Sequence, residues 1–368
     1  MTIFDVFEML TNLSKNKLIN DFMPKYLLVL FLFTSILIEA QYTDQINSNR
    51  PGASLGAFAV GKGVVQFEGG IEFRNYKHDR YNLSTVDAKV AFLSVRWGFL
   101  FEQLELTYQG AFVFDRLKNK ISTQHIEFKR KGLLQNYLGV KYLFYDPFKK
   151  ERKVNLYSWK ANNTFQLRDL IPAVSLTAGA NFILGKNHYP FGDMFDALYR
   201  PIFFQNLGLP SEIEPQLSLR GILATQSHFL GTWVFETNLI YDRYLTNHTE
   251  KSYILTLTHT FHPLWSIYLE NQGVYGDRYD DLIFRTGTAY LFTDNIQIEG
   301  SFGISSRSDP SSVFFNLGVS YRLDFHKDFI SAAEIEYKEG IKEEKQLKKT
   351  MKKDKKAEKK RSRKAKRI

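Results

Sequence analysis

The chain has 368 residues, of which 44% are hydrophobic, and a mean hydropathy of −0.28. Only one long apolar run occurs, which excludes a bundle of membrane-spanning helices because each span needs about 20 apolar residues. The absence of cysteine excludes disulfides, thiolate metal sites and cysteine nucleophiles. The net charge of +10 is concentrated in the C-terminal tail, where 15 Lys or Arg face 4 acids between Lys342 and Arg367. The rest of the chain is therefore close to neutral.

The N-terminal region predicts a targeting segment. Met23-Pro24-Lys25 precedes an uncharged apolar run over residues 26–38, which is followed by the small residue Ala40. This run is too short to span a bilayer and is typical of a signal peptide. We predict a signal peptide over residues 1–40, with translation starting at Met23; a buried core helix is the alternative. The mature chain is then expected to be periplasmic, secreted or a β-barrel.

Residues 46–70 change from loop to strand character. Asn49-Arg50-Pro51-Gly52 is a strong turn signal, whereas strict alternation begins at Val64. We predict a lead-in segment over residues 41–63 and a first strand directly after it.

From Val64 onward the chain alternates apolar and polar residues with the period of two expected of strands. Twelve segments follow one another: Val64–Tyr76, Leu83–Trp97, Leu104–Asp115, Leu133–Tyr145, Ile171–Leu184, Gln216–Thr225, Thr232–Leu245, Ser252–Phe261, Trp265–Tyr275, Asp281–Phe292, Ile296–Ser305 and Val313–Phe325. A polar loop is expected over residues 116–130.

Segment number and length predict an all-β, antiparallel transmembrane barrel of about twelve strands over residues 64–325. Bacterial outer-membrane barrels have an even strand count, and their strands need about 9–11 residues, longer than the average globular strand. The connection over residues 146–170 is an exception, because it is long although it falls among the short periplasmic turns. A soluble β-sandwich or a lipocalin-like cup is the alternative.

The last segment carries a further signal. Asn316, Gly318, Tyr321 and Leu323 fit a polar-x-Gly-x-x-aromatic-x-hydrophobic pattern. This pattern resembles the assembly signal that the barrel insertion machinery reads in closing strands. The resemblance implies that the insertion machinery and outer-membrane lipids are partners of this chain.

Four patches resemble a bacterial outer-membrane family, the phenol meta-pathway degradation-type transporter barrels. They are residues 49–70, Arg96-Trp97-Gly98 with Leu104-Glu105-Leu106, Leu138-Gly139-Val140-Lys141-Tyr142, and Gly318-Val319-Ser320-Tyr321. The resemblance covers about residues 45–325 and implies a channel in the outer membrane of a Gram-negative bacterium. Its implied cargo is small, aromatic or hydrophobic compounds. The long 146–170 connection and the basic tail depart from the family pattern.

Charged residues on the polar side of the predicted strands are expected to line the lumen, where charge is tolerated. These candidates are Glu68, Glu72, Arg74, Arg96, Glu105, Lys141, Arg220, Arg285 and Glu299. They would either select solutes or fill a narrow lumen with ion pairs. Arg50 is the candidate for a plug, in which it would pair with Glu68 or Glu72; a flexible periplasmic lead-in is the alternative.

No enzymatic, metal or cofactor site is predicted. An outer-membrane lipid hydrolase would need Ser and His on neighbouring strand ends, and His248, His259 and His262 lie in no such setting. A closed barrel with a structural or adhesive role is the main alternative to a channel.

The tail over residues 326–368 is predicted to be helical or disordered and to lie in the periplasm. There it would meet anionic polymers or lipid headgroups rather than nucleic acid; a merely solvated extension is the alternative.

Overall fold

The backbone closes into a cylinder in a computed structural model that describes residues 45–50, 52–79, 83–119, 126–149, 167–183, 217–246, 248–276 and 280–326. The strands within these residues are β1 (Val64–His78), β2 (Ser84–Gly98), β3 (Leu104–Asn119), β4 (Ile126–Tyr145), β5 (Ala173–Phe182), β6 (Leu217–Phe229), β7 (Trp233–Tyr244), β8 (Glu250–His262), β9 (Trp265–Gly276), β10 (Asp281–Thr293), β11 (Ile296–Ser305) and β12 (Ser311–Asp324). Two short 3-10 turns, Pro147–Lys149 and Leu167–Leu170, lie between β4 and β5.

Each strand pairs antiparallel with its neighbours in sequence, and β1 closes the barrel against β12. The closing register places Val65 opposite Leu323 and Ile71 opposite Leu317. Closure pairs the backbone groups that an open sheet would leave at its edges, which a bilayer could not hydrate. The predicted fold class is therefore confirmed, including the strand number.

Alternation of side chains gives the barrel an apolar outside and a polar inside. On β12, Phe315, Leu317 and Val319 are 45–51% exposed on the outer surface, whereas the alternate residues Asn316 and Ser320 are at most 6% exposed. Similar outward rows of Leu, Ile, Phe and Tyr occur on the other strands. This arrangement suits strands that face lipid on one side and a polar interior on the other.

The loop predicted over residues 116–130 is wrong, because most of it is strand. The β3–β4 hairpin continues until Asn119 pairs with Ile126. Charged and polar residues dominate residues 116–130 and conceal the strands from a hydrophobicity pattern, although Leu117 and the Asp115–Arg130 pair are buried.

The two strand ends of the barrel differ in their connections. The end that holds the start of β1 and the end of β12, here called the termini end, has short turns at residues 99–103, 230–232, 263–264 and 294–295. The opposite end is called the loop end. The predicted signal peptide, residues 150–166 of the long connection and the tail beyond His326 lie outside the described residues. Among the residues that the structure describes, no helix has the length and hydropathy needed to cross a bilayer.

Candidate functional site

The barrel interior holds a stretch of chain that precedes β1. This inserted segment comprises residues 45–62, of which Pro51 is not described. It forms no strand, so its backbone groups bond to side chains of the wall. Leu55 shows the principle: its N–H donates to Asn238 Oδ1 at 2.6 Å, and its carbonyl accepts from Asn238 Nδ2 at 2.8 Å. One amide side chain thus acts as the neighbouring strand that Leu55 lacks.

A buried ion cluster on β2, β3 and β4 holds the end of the inserted segment nearest β1. Arg96 binds Glu105 through two bonds of 2.9 Å, and Lys141 lies 3.7 Å from the same carboxylate. Both cations also donate to the carbonyl of Phe58, at 3.1 Å from Arg96 and 2.7 Å from Lys141. Glu105 in turn accepts from Val60 N at 3.0 Å. Since the three charged side chains are at most 2% exposed, they are satisfied by each other and by this segment.

The opposite wall binds the middle of the segment through carboxylates. Glu270 on β9 accepts from Ala53 N at 2.9 Å and Ser54 N at 3.2 Å, and Glu236 on β7 accepts from Ser54 Oγ at 2.8 Å. On β6, Gln226 accepts from Ala57 N at 3.0 Å. The inserted segment is therefore held from both sides of the lumen.

Arg50 lies in this segment, but its guanidinium packs over the ring of Phe92, 4.0 Å from the centroid. The expected ion pair of Arg50 with Glu68 or Glu72 is not formed: Glu68 faces Arg96 at 3.5 Å, and Glu72 binds Arg74 at 2.6 Å. The carbonyl of Arg50 accepts from Gln297 at 3.0 Å instead. Arg74 and Arg96 pair with these carboxylates instead, because the sheet fixes both arginines on the same interior face as Glu72 and Glu68.

A cavity of about 400 Å³ lies on the loop-end side of the inserted segment, and residues 49–50 and 52–55 contribute to its floor. Its wall combines charged pairs with apolar surface. Arg74 pairs with Glu72, Arg220 lies 3.4 Å from Asp242, and Arg285 binds Glu270 at 2.9 Å. The apolar part is supplied by the following side chains: Tyr76, Val90, Phe92, Ile240 and Phe314. Such a cavity can hold a small molecule with both polar and apolar surface.

A second cavity of about 280 Å³ lies at the termini end and is also lined by the inserted segment, through Asn47 and residues 58–60. Phe58, Phe148 and His228 form an aromatic group there, with ring centroids 5.0–6.1 Å apart. The inserted segment thus contributes to cavities at both ends of the interior.

The predicted lumen candidates are brought together in part. Arg96, Glu105 and Lys141 form the buried cluster, and Glu68 and Glu299 are buried close to the inserted segment. Four others line the large cavity or its rim: Glu72, Arg74, Arg220 and Arg285. Their role in solute passage stays a prediction, as do those of Arg50 as a plug residue and of Asn316, Gly318, Tyr321 and Leu323 as an assembly signal.

Sequence reasoning missed several residues that bind the inserted segment. Glu236, Asn238 and Glu270 were not among the candidates, although their even spacing along alternating strands marks them as interior positions. The histidines weighed for catalysis are used otherwise: His259 stacks on Trp233 at 4.2 Å, and His262 Nδ1 accepts from Leu264 N at 3.2 Å. Over the described ranges, no group of three or more His, Asp or Glu is arranged to hold a metal ion.

A closed antiparallel barrel with an apolar outer surface and a polar, segment-filled interior defines a transmembrane β-barrel. More particularly, the chain belongs to the family described as "Putative MetA-pathway of phenol degradation", whose model matches residues 48–194 and 210–323. The resemblance seen in the sequence is confirmed.

Among solved structures, an outer membrane channel from Pseudomonas putida F1 is 12% identical, with a TM-score of 0.45; the match covers 76% of this chain and all of that one. The translocator domain of the autotransporter NalP from Neisseria meningitidis is 8% identical, with a TM-score of 0.39 and coverage of 75% and 90%. KdgM porin is 13% identical, with a TM-score of 0.34 and coverage of 70% and 99%. No curated protein matches this chain.

Proposed function

We propose that this protein is an outer-membrane channel for small solutes, including aromatic ones, that the inserted segment closes at rest. The observation that carries the proposal is the cavity of about 400 Å³ whose floor is this segment. Its paired charges suit polar groups of a solute, and its aromatic and aliphatic wall suits an apolar body. The family description, which refers to phenol degradation, supports an aromatic cargo.

The orientation is inferred from the connections, although the long one between β4 and β5 is an exception at the termini end. Outer-membrane barrels place short turns in the periplasm and longer loops outside. The termini end would then face the periplasm together with the tail, and the large cavity would open toward the cell exterior. A solute entering from outside would meet the wall arginines first and the inserted segment next.

Passage requires the inserted segment to move, because its backbone is bonded to both sides of the lumen. The side chains of Arg50 and Phe58 pack on aromatic rings, but the wall contacts of the segment's backbone described above are all hydrogen bonds. Such contacts can be exchanged for water without breaking the sheet, so the barrel can persist while the segment shifts.

Flux into liposomes tests the channel itself. Purified protein is reconstituted and swelling is measured with solutes of graded size, including phenylalanine and a sugar of similar size. We expect flux of the smaller solutes and faster entry of phenylalanine than of the sugar. Absence of flux in every size class would refute the transport proposal and favour a closed barrel with a structural role.

A disulfide lock tests the role of the segment. Ser48 Oγ and Ser320 Oγ are 2.8 Å apart, so cysteines at both positions come within reach of a disulfide bond. The native chain has no cysteine that could interfere. We expect oxidised Ser48→Cys/Ser320→Cys protein to lose flux and to regain it on reduction, whereas Ser48→Cys alone is insensitive to oxidation. Equal flux in the oxidised and reduced double variant would show that solutes pass with the segment in place.

A further inference from the structure

The outer surface of the barrel carries exposed lysines where β2 and β4 approach the loop end. Lys89 lies on β2 between two buried interior residues. Lys129 and Lys131 lie on β4 on either side of Arg130, which points inward and binds Asp115 at 2.6 Å. Because successive side chains of a strand point to opposite faces, all three lysines point outward. We call Lys89, Lys129 and Lys131 the outer lysine patch.

The strand register brings the three lysines together around one aromatic residue. Phe114 on β3 pairs with Lys89 on one side and with Lys131 on the other, and its side chain is 54% exposed. Neighbouring strands are about 4.8 Å apart, so the backbones of Lys89 and Lys131 are separated by about 10 Å. Lys129 is two residues further along β4, about 7 Å from Lys131. Flexible lysine side chains can bring their ammonium groups to one polyanionic group across such distances.

The outer lysine patch differs in charge from its surroundings. Other cations on this part of the outer surface are paired with carboxylates: Arg116 with Glu127 at 2.9 Å, and Lys118 with Asp87 at 3.5 Å. In the part of the chain that the structure describes, by contrast, no carboxylate oxygen lies within 4 Å of any ammonium group of the patch. The patch therefore presents positive charge that is available to an anion from outside the protein.

The patch lies at the edge of the apolar band that faces lipid. The outward side chains of β3 are uncharged from Leu104 to Phe114, and the next one is Arg116. Ten residues of strand rise about 33 Å, and a tilt of about 35–45° reduces this to about 25 Å along the barrel axis, which is the height of the apolar band of outer-membrane barrels. Lys89 and Lys131 are close to the level of Phe114, so they lie where lipid headgroups begin.

We propose that the outer lysine patch binds a phosphorylated lipid of the outer leaflet. The phosphate groups would bind Lys89 and Lys131, with Lys129 adding its charge, because basic residues beside a bilayer attract anionic headgroups. An acyl chain of the same lipid would pack on Phe114 and Phe112, whose ring centroids are 4.9 Å apart. This combination of charge and adjoining apolar surface favours a lipid over a soluble anion. The binding is independent of transport, and only the choice of leaflet rests on the proposed orientation of the barrel.

Lipid binding to the full-length protein in an uncharged detergent tests the proposal. Native mass spectrometry measures the lipid bound as bisphosphorylated lipid A or phosphatidylcholine, whose phosphate is balanced by a quaternary amine, is added. We expect saturable binding of lipid A and much weaker binding of phosphatidylcholine. The Lys89→Gln/Lys129→Gln/Lys131→Gln variant should bind lipid A roughly 100-fold more weakly, about fivefold for each lysine. Equal affinity of the folded triple variant and the wild type would overturn the proposal, as would equal affinity of the wild type for both lipids.

Lys251→Gln is the matched control, because Lys251 is an exposed lysine near the loop end of β8 whose cross-strand neighbours are Tyr241 and Tyr275. It should bind lipid A as the wild type does, and an effect as large as that of Lys131→Gln would mean general charge attraction and overturn the patch. Lys131→Arg keeps the charge and should bind close to wild type. Should the triple variant fail to fold, as judged by heat-modifiable gel migration, the comparison of Lys131→Gln with Lys251→Gln decides.

Inorganic phosphate separates a lipid site from a site for free anions. We expect excess phosphate to leave most lipid A bound, because phosphate gains no contact with the aromatic surface beside the patch. Complete displacement of lipid A by phosphate would overturn the lipid proposal. Since no solute flux is measured, these outcomes are separate from those of the liposome experiments.

Discussion

Asn238 is the wall residue whose replacement tests most directly whether the inserted segment closes the lumen. Its side chain is fully buried and bonds both the N–H and the carbonyl of Leu55, at 2.6 and 2.8 Å. Asn238→Leu keeps nearly the same side-chain volume and changes no charge, while it removes both bonds. The backbone pairing of β7 with β6 and β8 is unaffected.

The magnitude follows from the two backbone groups that lose their partner. Each buried, unpaired N–H or C=O costs about 1–3 kcal/mol. The docked position of the inserted segment should therefore lose about 2–6 kcal/mol, the lower value applying if water reaches Leu55. This corresponds to a roughly 30- to 20,000-fold shift toward the undocked segment.

Single-channel recording in planar bilayers measures this shift. We expect Asn238→Leu to open more often and for longer than the wild type. The matched control is Asn181→Leu on β5: Asn181 is also buried in the interior, but it bonds Ser218 and Asp242 instead of the inserted segment. Equal open probability in the wild type and Asn238→Leu would refute the view that these bonds keep the channel closed, as would the same increase in Asn181→Leu.

The other predictions concern stability. Arg96→Met leaves Glu105 buried beside one cation and should lower the free energy of unfolding by about 3–5 kcal/mol in urea titrations, whereas Arg116→Met, at the exposed pair with Glu127, should change it by less than about 1 kcal/mol. A small effect of Arg96→Met would mean that the cluster is hydrated. Leu317→Arg places a charge on the outer face of β12 and should cost about 2–4 kcal/mol when folding into lipid vesicles is measured; an unchanged stability would place Leu317 outside the bilayer.

The strands could be predicted because the surroundings of each strand determine its own alternation of apolar and polar residues. The period of two along Val64–His78 or Ser311–Asp324 reflects lipid on one side and polar interior on the other, and this contrast is local. The even number of strands and their length then predicted the barrel. The β3–β4 hairpin was mispredicted over residues 116–130 because charged and polar residues dominate that stretch and hide the contrast in the sequence.

Inward-facing charges could also be predicted, since any charged residue on the polar face of a strand must point inside. Their partners could not. Arg96, Glu105 and Lys141 meet because β2, β3 and β4 are neighbours in register, and Arg50 packs on Phe92 because Arg74 and Arg96 already occupy the carboxylates.

The sequence by itself determined the alternating strands and their even number. It also determined which face of each strand is apolar and which is polar, and the loop-like character of the stretch before Val64. Only the tertiary structure decided where that stretch lies and what holds it. The physical reason is that its bonds join backbone atoms to side chains far along the chain, as between Leu55 and Asn238, and such pairing leaves no periodic trace in the sequence.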